Sequence, residues 1–108
     1  MKRIAFIDLG SNSVRFVIYE ISKTGSYRLI YQEKNSVRLS ENMWGTQKLT
    51  NEAMERSLRS LKAFVHMAEA MDVDTIKAVA TAAVRLAKNG DIFIKTVKEQ
   101  TGLDLECI

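Results

Sequence analysis

Apolar positions fall first in short unbroken runs and later at helical spacing. Ile4-Ala5-Phe6-Ile7 is apolar on consecutive positions, which predicts a central strand buried on both faces from about Arg3 to Asp8. A second run from Val14 to Ser22, with Phe16, Val17 and Ile18 in sequence, predicts another strand. Lys23-Thr24-Gly25-Ser26 carries turn chemistry. From Tyr27 to about Val37 the pattern alternates, with Tyr27, Leu29 and Tyr31 set against Arg28, Ile30 and Gln32, as on an edge strand with one wetter face. Short turns between consecutive strands predict an antiparallel meander.

Ser40 to Leu49 has no period and reads as a loop, in which Trp44 is either a lid or substrate contact or, the favoured expectation, covers an edge of the core. A helix follows. Thr50 can cap it, Glu52 suits the positive end of its dipole, and Leu49 can pack onto Met54. Its apolar stripe is Met54, Leu58, Leu61, Val65 and Ala68, widened by Phe64 and Met71. Glu55, Arg59, Lys62, His66 and Glu69 fall opposite, so His66 is read as solvent-facing, neither base nor metal ligand. Thr75 to Ala80 reads as a fourth strand and Thr81 to Ala87 as helical. After Asn89-Gly90, Asp91 is placed to cap a helix running to about Gln100, with Phe93, Ile94 and Val97 inward and Gly102 as its stop. Leu103, Leu105 and Cys107 alternate with Asp104 and Glu106, suggesting a fifth strand. The order is βββαβαβ, an α/β architecture with a mixed sheet.

Composition narrows this picture little. The 108 residues suit one domain, 1–108, with 46% hydrophobic and 27% charged residues. No apolar run approaches a membrane span, Asp8 breaks any signal-peptide core, and the single Cys107 fits a cytoplasmic protein without a disulfide. A net charge of +3 would suit an anionic substrate, although a solvated surface explains it as well.

The candidate chemistry lies at two turns. Asp8 ends the first strand and opens Leu9-Gly10-Ser11-Asn12-Ser13, where a glycine allows close backbone approach and short polar residues surround it. Such a turn can cradle a phosphate on its amides, but on its own the stretch reads first as a hairpin turn. A carboxylate leaving a buried strand needs donors, a cation or water, so Asp8 either accepts hydrogen bonds from the loop or orients a hydrated divalent ion. Arg15 lies amid apolar neighbours and is either functional or a strand charge reaching solvent. The second turn is Ala80-Thr81-Ala82-Ala83-Val84-Arg85, a strand end leading into a helix start. Arg85 can fork onto a phosphate there, or simply be exposed.

Taken together, Asp-Leu-Gly-Ser-Asn-Ser-Val-Arg-Phe at 8–16, Asn-Ser-Val-Arg-Leu at 35–39 and Ala-Thr-Ala-Ala-Val-Arg-Leu-Ala-Lys-Asn-Gly at 80–90 resemble the exopolyphosphatase / guanosine pentaphosphate phosphohydrolase family. The resemblance implies the first lobe of an actin-like ATPase fold, ribonuclease H-like in its strand and helix order. It implies hydrolysis of terminal phosphates of polyphosphate or guanosine pentaphosphate, usually with Mg²⁺ or another divalent cation. By the same resemblance Gly10, Ser11, Asn12 and Ser13 match a phosphate loop and Asp8 the carboxylate near the metal. Arg85 matches an arginine on substrate phosphate, and Arg15 and Arg38 match further motif positions. Ala82, Leu86 and Ser40 depart from the residues common there, a serine, a glutamate and a glycine, which bears on substrate preference. The glutamate that activates water is expected beyond Ile108, and Glu106 is not assigned that role. These residues are accordingly expected to be the N-terminal part of a longer phosphohydrolase, or a deliberately shortened piece of one, with little activity alone. A homodimeric parent is a further expectation; membrane and specific nucleic-acid partners are not expected.

Other readings compete. A sugar or acetate kinase of the actin-like superfamily shares the Asp-x-Gly-Ser turn. A ribonuclease H-like nuclease needs several converging carboxylates, and Asp8 is the only one on an early strand's active edge. A non-catalytic phosphate-binding or assembly module becomes the favoured reading if the gene ends at Ile108. A P-loop nucleotidase is excluded, since Gly-x-x-x-x-Gly-Lys-Ser/Thr does not occur.

Overall fold

The computed structural model describes residues 1–108. In chain order it comprises β1 (Lys2–Leu9), β2 (Ser13–Ile21), β3 (Tyr27–Ser36), α1 (Asn51–Ala70), β4 (Thr75–Ala80), α2 (Ala82–Leu86), α3 (Gly90–Thr101) and β5 (Leu105–Cys107). The five strands form one mixed sheet in the order β3-β2-β1-β4-β5. The first three pair antiparallel, as the meander requires, while β1/β4 and β4/β5 are parallel. This is the expected α/β topology, with the two expected helical stretches between β4 and β5 separate.

Sequence chemistry explains the divisions. Thr50 caps α1, its hydroxyl accepting from the Ala53 amide at 3.1 Å. Ala87 turns extended after α2, and the Lys88 amide leaves to bond the Gln47 carbonyl at 2.8 Å. The next helix starts two residues earlier than a cap at Asp91 would have set it, with Asn89 at the cap position. Asn89 caps nothing with its side chain; instead its amide clasps the backbone of Leu49 through both its oxygen and nitrogen, at 2.8 and 3.0 Å. A Cβ on Gly90 would lie 2.1 Å from the Val84 carbonyl oxygen, so α3 can begin against α2 only with a glycine. Gly102 ends α3 at φ 80°.

The core lies on one face of the sheet. Phe16, Ile7, Ile18 and Leu9 from the strands meet Leu61 and Phe64 of α1 and Phe93 and Val97 of α3. Phe16 stacks on Phe64 with ring centres 4.7 Å apart. The inward stripe of α1 and the solvent position of His66 are as expected.

Two strand expectations need correction. β1 is central but not buried on both faces: Ala5, Ile7 and Leu9 are buried, whereas Phe6 is 44% exposed and Asp8 is exposed. The apolar run hides an alternation, because helices cover only the face that Ala5, Ile7 and Leu9 share. On the open face Phe6, Tyr19 and Tyr27 make a chain of edge-on rings with centres 6.1 and 5.7 Å apart. In β3, Ile30 is an extra residue where the register shifts. The bulge sends Tyr31 to the helix face, edge-on to Phe16, while Tyr27 and Leu29 stay on the open one.

Candidate functional site

Parallel pairing aligns the ends of β1 and β4, with Leu9 beside Ala80. The Thr81 amide donates to the Leu9 carbonyl at 3.1 Å. A Cβ on Gly10 would lie 4.0 Å from the Thr81 hydroxyl, so the two turns singled out in the sequence touch at one sheet end. The first turn is closed by the Gly10 amide on the Ser13 carbonyl at 2.9 Å. Its carbonyls point into the protein. The Asn12 oxygen accepts from Val37 and Arg38 at 3.0 and 2.9 Å, and the Ser11 oxygen accepts from Ser40 at 3.0 Å. The amides of Ser11 and Asn12 bond no backbone acceptor. With the Ser11 and Asn12 oxygens consumed and the N–H groups of the same two residues free, the turn presents positive potential outward and suits an anion. Across from it, the cap position Thr81 gives α2 no side-chain hydrogen bond.

Charges are arranged around this turn on the open face. Asp8 lies beside Arg15 on β2, and Arg15 beside Lys34 on β3, one row across the strands. Facing side chains on neighbouring strands have Cβ atoms about 5 Å apart. The same row continues through Val79 to Glu106. Asp8 is exposed, so it bears no burial cost, and it takes part in none of the five ion pairs. The expectation that desolvation forces a partner on it is therefore corrected. Arg15 reaches solvent by strand alternation. Arg38 is exposed, its amide on the turn and its backbone at φ 46°, a region unusual for a non-glycine residue. The Arg85 guanidinium donates to the Ile108 carbonyl at 2.7 Å, next to β5. Glu106 pairs with Lys77.

Residues 17–108 match the model of the Ppx/GppA phosphatase family. The chain belongs to that family. It is 43% identical over 100 residues to the guanosine-5'-triphosphate,3'-diphosphate pyrophosphatase of Pseudoalteromonas atlantica, covering 93% of this chain and 19% of that protein. Among solved structures, the type II variant of the Aquifex aeolicus Ppx/GppA phosphatase superposes with a TM-score of 0.95 at 33% identity, over all of this chain and 36% of that one. An exopolyphosphatase from Cytophaga hutchinsonii gives 0.93 at 31% identity, over 99% of this chain and 34% of that one. The chain thus spans about a fifth of the curated relative and about a third of the solved ones. The fold is that of Ppx/GppA structures of the actin-like ATPase type.

Within this Ppx/GppA fold, one contributor carries no motif. Arg56 of α1 donates to the Val37 carbonyl at 3.0 Å, the Arg38 carbonyl at 3.3 Å and the Glu41 carboxylate at 2.7 Å. It secures the segment that holds the turn. Only its place near the start of α1, facing a loop not foldable by eye, could have signalled this. Trp44 does not cover the core edge: it is 93% exposed, and Met43 beside it packs on the core instead. No group of three or more His, Cys, Asp or Glu side chains converges on a possible metal position. No helix is long and apolar enough to cross a membrane.

Proposed function

We propose that this chain is the first phosphate-binding lobe of a phosphohydrolase that removes the terminal phosphate of polyphosphate or guanosine pentaphosphate by attack of water, in the cytoplasm. One observation carries the reading: the Gly10–Ser13 turn has its Ser11 and Asn12 carbonyls tied to residues 37–40 and the amides of the same two residues free, next to Asp8. Arg15, Lys34 and Arg38 add positive charge around it without carboxylate partners. Phosphoryl transfer depends mainly on positioning and charge neutralisation, which amides and guanidinium groups supply.

A hard cation such as Mg²⁺ keeps several waters and takes one or two carboxylates together with substrate oxygens. Asp8, exposed and unpaired at the mouth of β1, fits as one such ligand and would hold the ion beside the phosphate chain. Bound there, the ion would neutralise charge on the phosphates. This lobe orients the anion, and the water-activating carboxylate belongs to the rest of the enzyme.

The test is phosphate release by the full-length protein from polyphosphate and from guanosine pentaphosphate, with Ser11→Val as the variant. The branched side chain removes a hydroxyl and crowds the anion at the free amides. We expect kcat/KM to fall at least tenfold, a loss of about 1.4 kcal/mol, with an unchanged circular dichroism spectrum. Full activity in the variant would reduce the loop to a turn. ATP-dependent phosphorylation of a sugar, without phosphate release from polyphosphate, would replace the hydrolase by a kinase.

A further inference from the structure

Next to the phosphate loop lies a surface that phosphate binding alone does not use. A cavity of about 590 Å³ opens between Ser11 on one side and Ala82 and Leu86 on the other, with Met43, Trp44 and Gln47 along its wall. Small-molecule sites commonly span roughly 300–1,000 Å³. No charged side chain lines this one, so a second phosphate would find no counter-charge in it. Trp44 is 93% and Leu86 67% exposed, a large apolar area left in water at a position where the core does not need it. The loop that carries the indole is tied down on both sides. Met43 packs on the core, its carbonyl accepts from the Gln47 amide at 2.7 Å, and the Gln47 carbonyl accepts from Lys88 at 2.8 Å.

An uncharged cavity with an exposed aromatic, adjoining an anion-binding turn, has the layout that a nucleotide requires. Base stacking on an aromatic side chain is sequence-tolerant and favourable because every base has a π-face. A side-chain amide such as that of Gln47 offers both a donor and acceptors to a base edge. We infer that the cavity is a nucleobase subsite: Trp44 stacks on the purine of a guanosine phosphate while the Gly10–Ser13 turn holds its phosphates. The site then prefers base-bearing phosphates to bare polyphosphate. The choice of a guanosine ligand follows the activity for which the Pseudoalteromonas atlantica relative is named. The inference rests on the phosphate-site reading and adds specificity to it.

Binding to the full-length protein is measured by calorimetry with guanosine pentaphosphate, inorganic tripolyphosphate and guanosine. Emission is followed in parallel, and the difference between the unmodified protein and Trp44→Ala isolates the signal of Trp44. Guanosine pentaphosphate is expected to bind about tenfold more tightly than tripolyphosphate and to quench Trp44, which tripolyphosphate does not. In Trp44→Ala that preference should collapse to within about twofold, and Trp44→Phe should restore most of it. Because the side chain is almost wholly exposed, neither variant threatens folding. Equal losses for both ligands in Trp44→Ala would make Trp44 a support of the loop, or a contact to another part of the protein, and overturn the subsite. Tripolyphosphate binding as tightly as the nucleotide in the unmodified protein would overturn the subsite and leave the phosphate loop standing. No binding by either ligand would overturn both readings.

Discussion

The guanidinium of Arg56 bonds two carbonyls and a carboxylate on residues 37–41, and the amides of Val37, Arg38 and Ser40 bond the Asn12 and Ser11 carbonyls of the Gly10–Ser13 turn. Arg56 therefore secures the turn from behind, which makes it a positioning residue for the proposed anion site. Arg56→Ala leaves those oxygens to water, and hydrogen bonds to charged groups are each worth about 1.5–3 kcal/mol. With the side chain about a fifth exposed, a loss of roughly 1–2 kcal/mol in urea unfolding is expected after solvent screening. A fall in kcat/KM for polyphosphate should accompany it. Arg56→Lys should recover part of the stability and less of the turnover, because an ammonium cannot span the same fork of acceptors. A wild-type urea midpoint in Arg56→Ala would remove the argument. Little of this was legible beforehand. Asp8 and Gly10–Ser13 stand out by residue type and spacing, whereas Arg56 acquires its partners only when a loop 15 to 19 residues earlier folds back over α1. Trp44 was misread for a related reason: tryptophan is a usual core residue, and no periodicity in Ser40–Leu49 reveals which side of a loop faces water.

At the scale of elements, the sheet end remote from the turn is fastened by a row across three strands: Arg3 of β1, Glu20 of β2 and Arg28 of β3. Glu20 accepts from Arg28 at 3.1 Å and from Arg3 at 3.2 Å, and Arg3 also donates to the Met71 carbonyl at the end of α1. Hydrogen bonds from Arg28, and next from Arg3, hold the Glu20 carboxyl below the usual carboxylate range. The folded chain thus binds that proton less readily than the unfolded chain. The stabilisation is complete above the unfolded value of about 4.3 and is lost as pH falls through the lower folded value. Glu20→Gln should lower the thermal midpoint at pH 7 and flatten the acid side of its pH profile. Parallel profiles for the two proteins would show that the row contributes nothing measurable. Elements were the scale most open to reading, since caps, glycine stops and the α1 stripe are local codes. The α2–α3 break was placed less exactly, because Asn89 is engaged by Leu49 from 40 residues away.

Over the whole molecule, one sheet presents two unlike faces, and a run of consecutive apolar residues cannot say so. Ile4-Ala5-Phe6-Ile7 looks uniform, yet burial divides it by parity: Ala5 and Ile7 enter the core, while Phe6 keeps 44% of its surface in contact with solvent. The face that lacks helices also carries the row of Asp8, Arg15 and Lys34, so the charged site and the exposed aromatic chain share one side of the protein. Core and open face can be told apart by energy. Phe16 is fully buried, stacked on Phe64 and edge-on to Tyr31. Phe16→Ala should cost about 3–5 kcal/mol, a large share of the roughly 5–15 kcal/mol that holds a typical domain together. Phe6 lies one strand row away, but on the open face, with Tyr19 edge-on at 6.1 Å. Full burial of such a side chain is worth about 1.5–3 kcal/mol, so half-burial limits Phe6→Ala to roughly 1 kcal/mol. Urea unfolding of both variants in the 108-residue chain measures the difference. Similar losses at the two positions would mean that the face bearing Asp8 is covered, and the exposed placement of the candidate site would then be wrong.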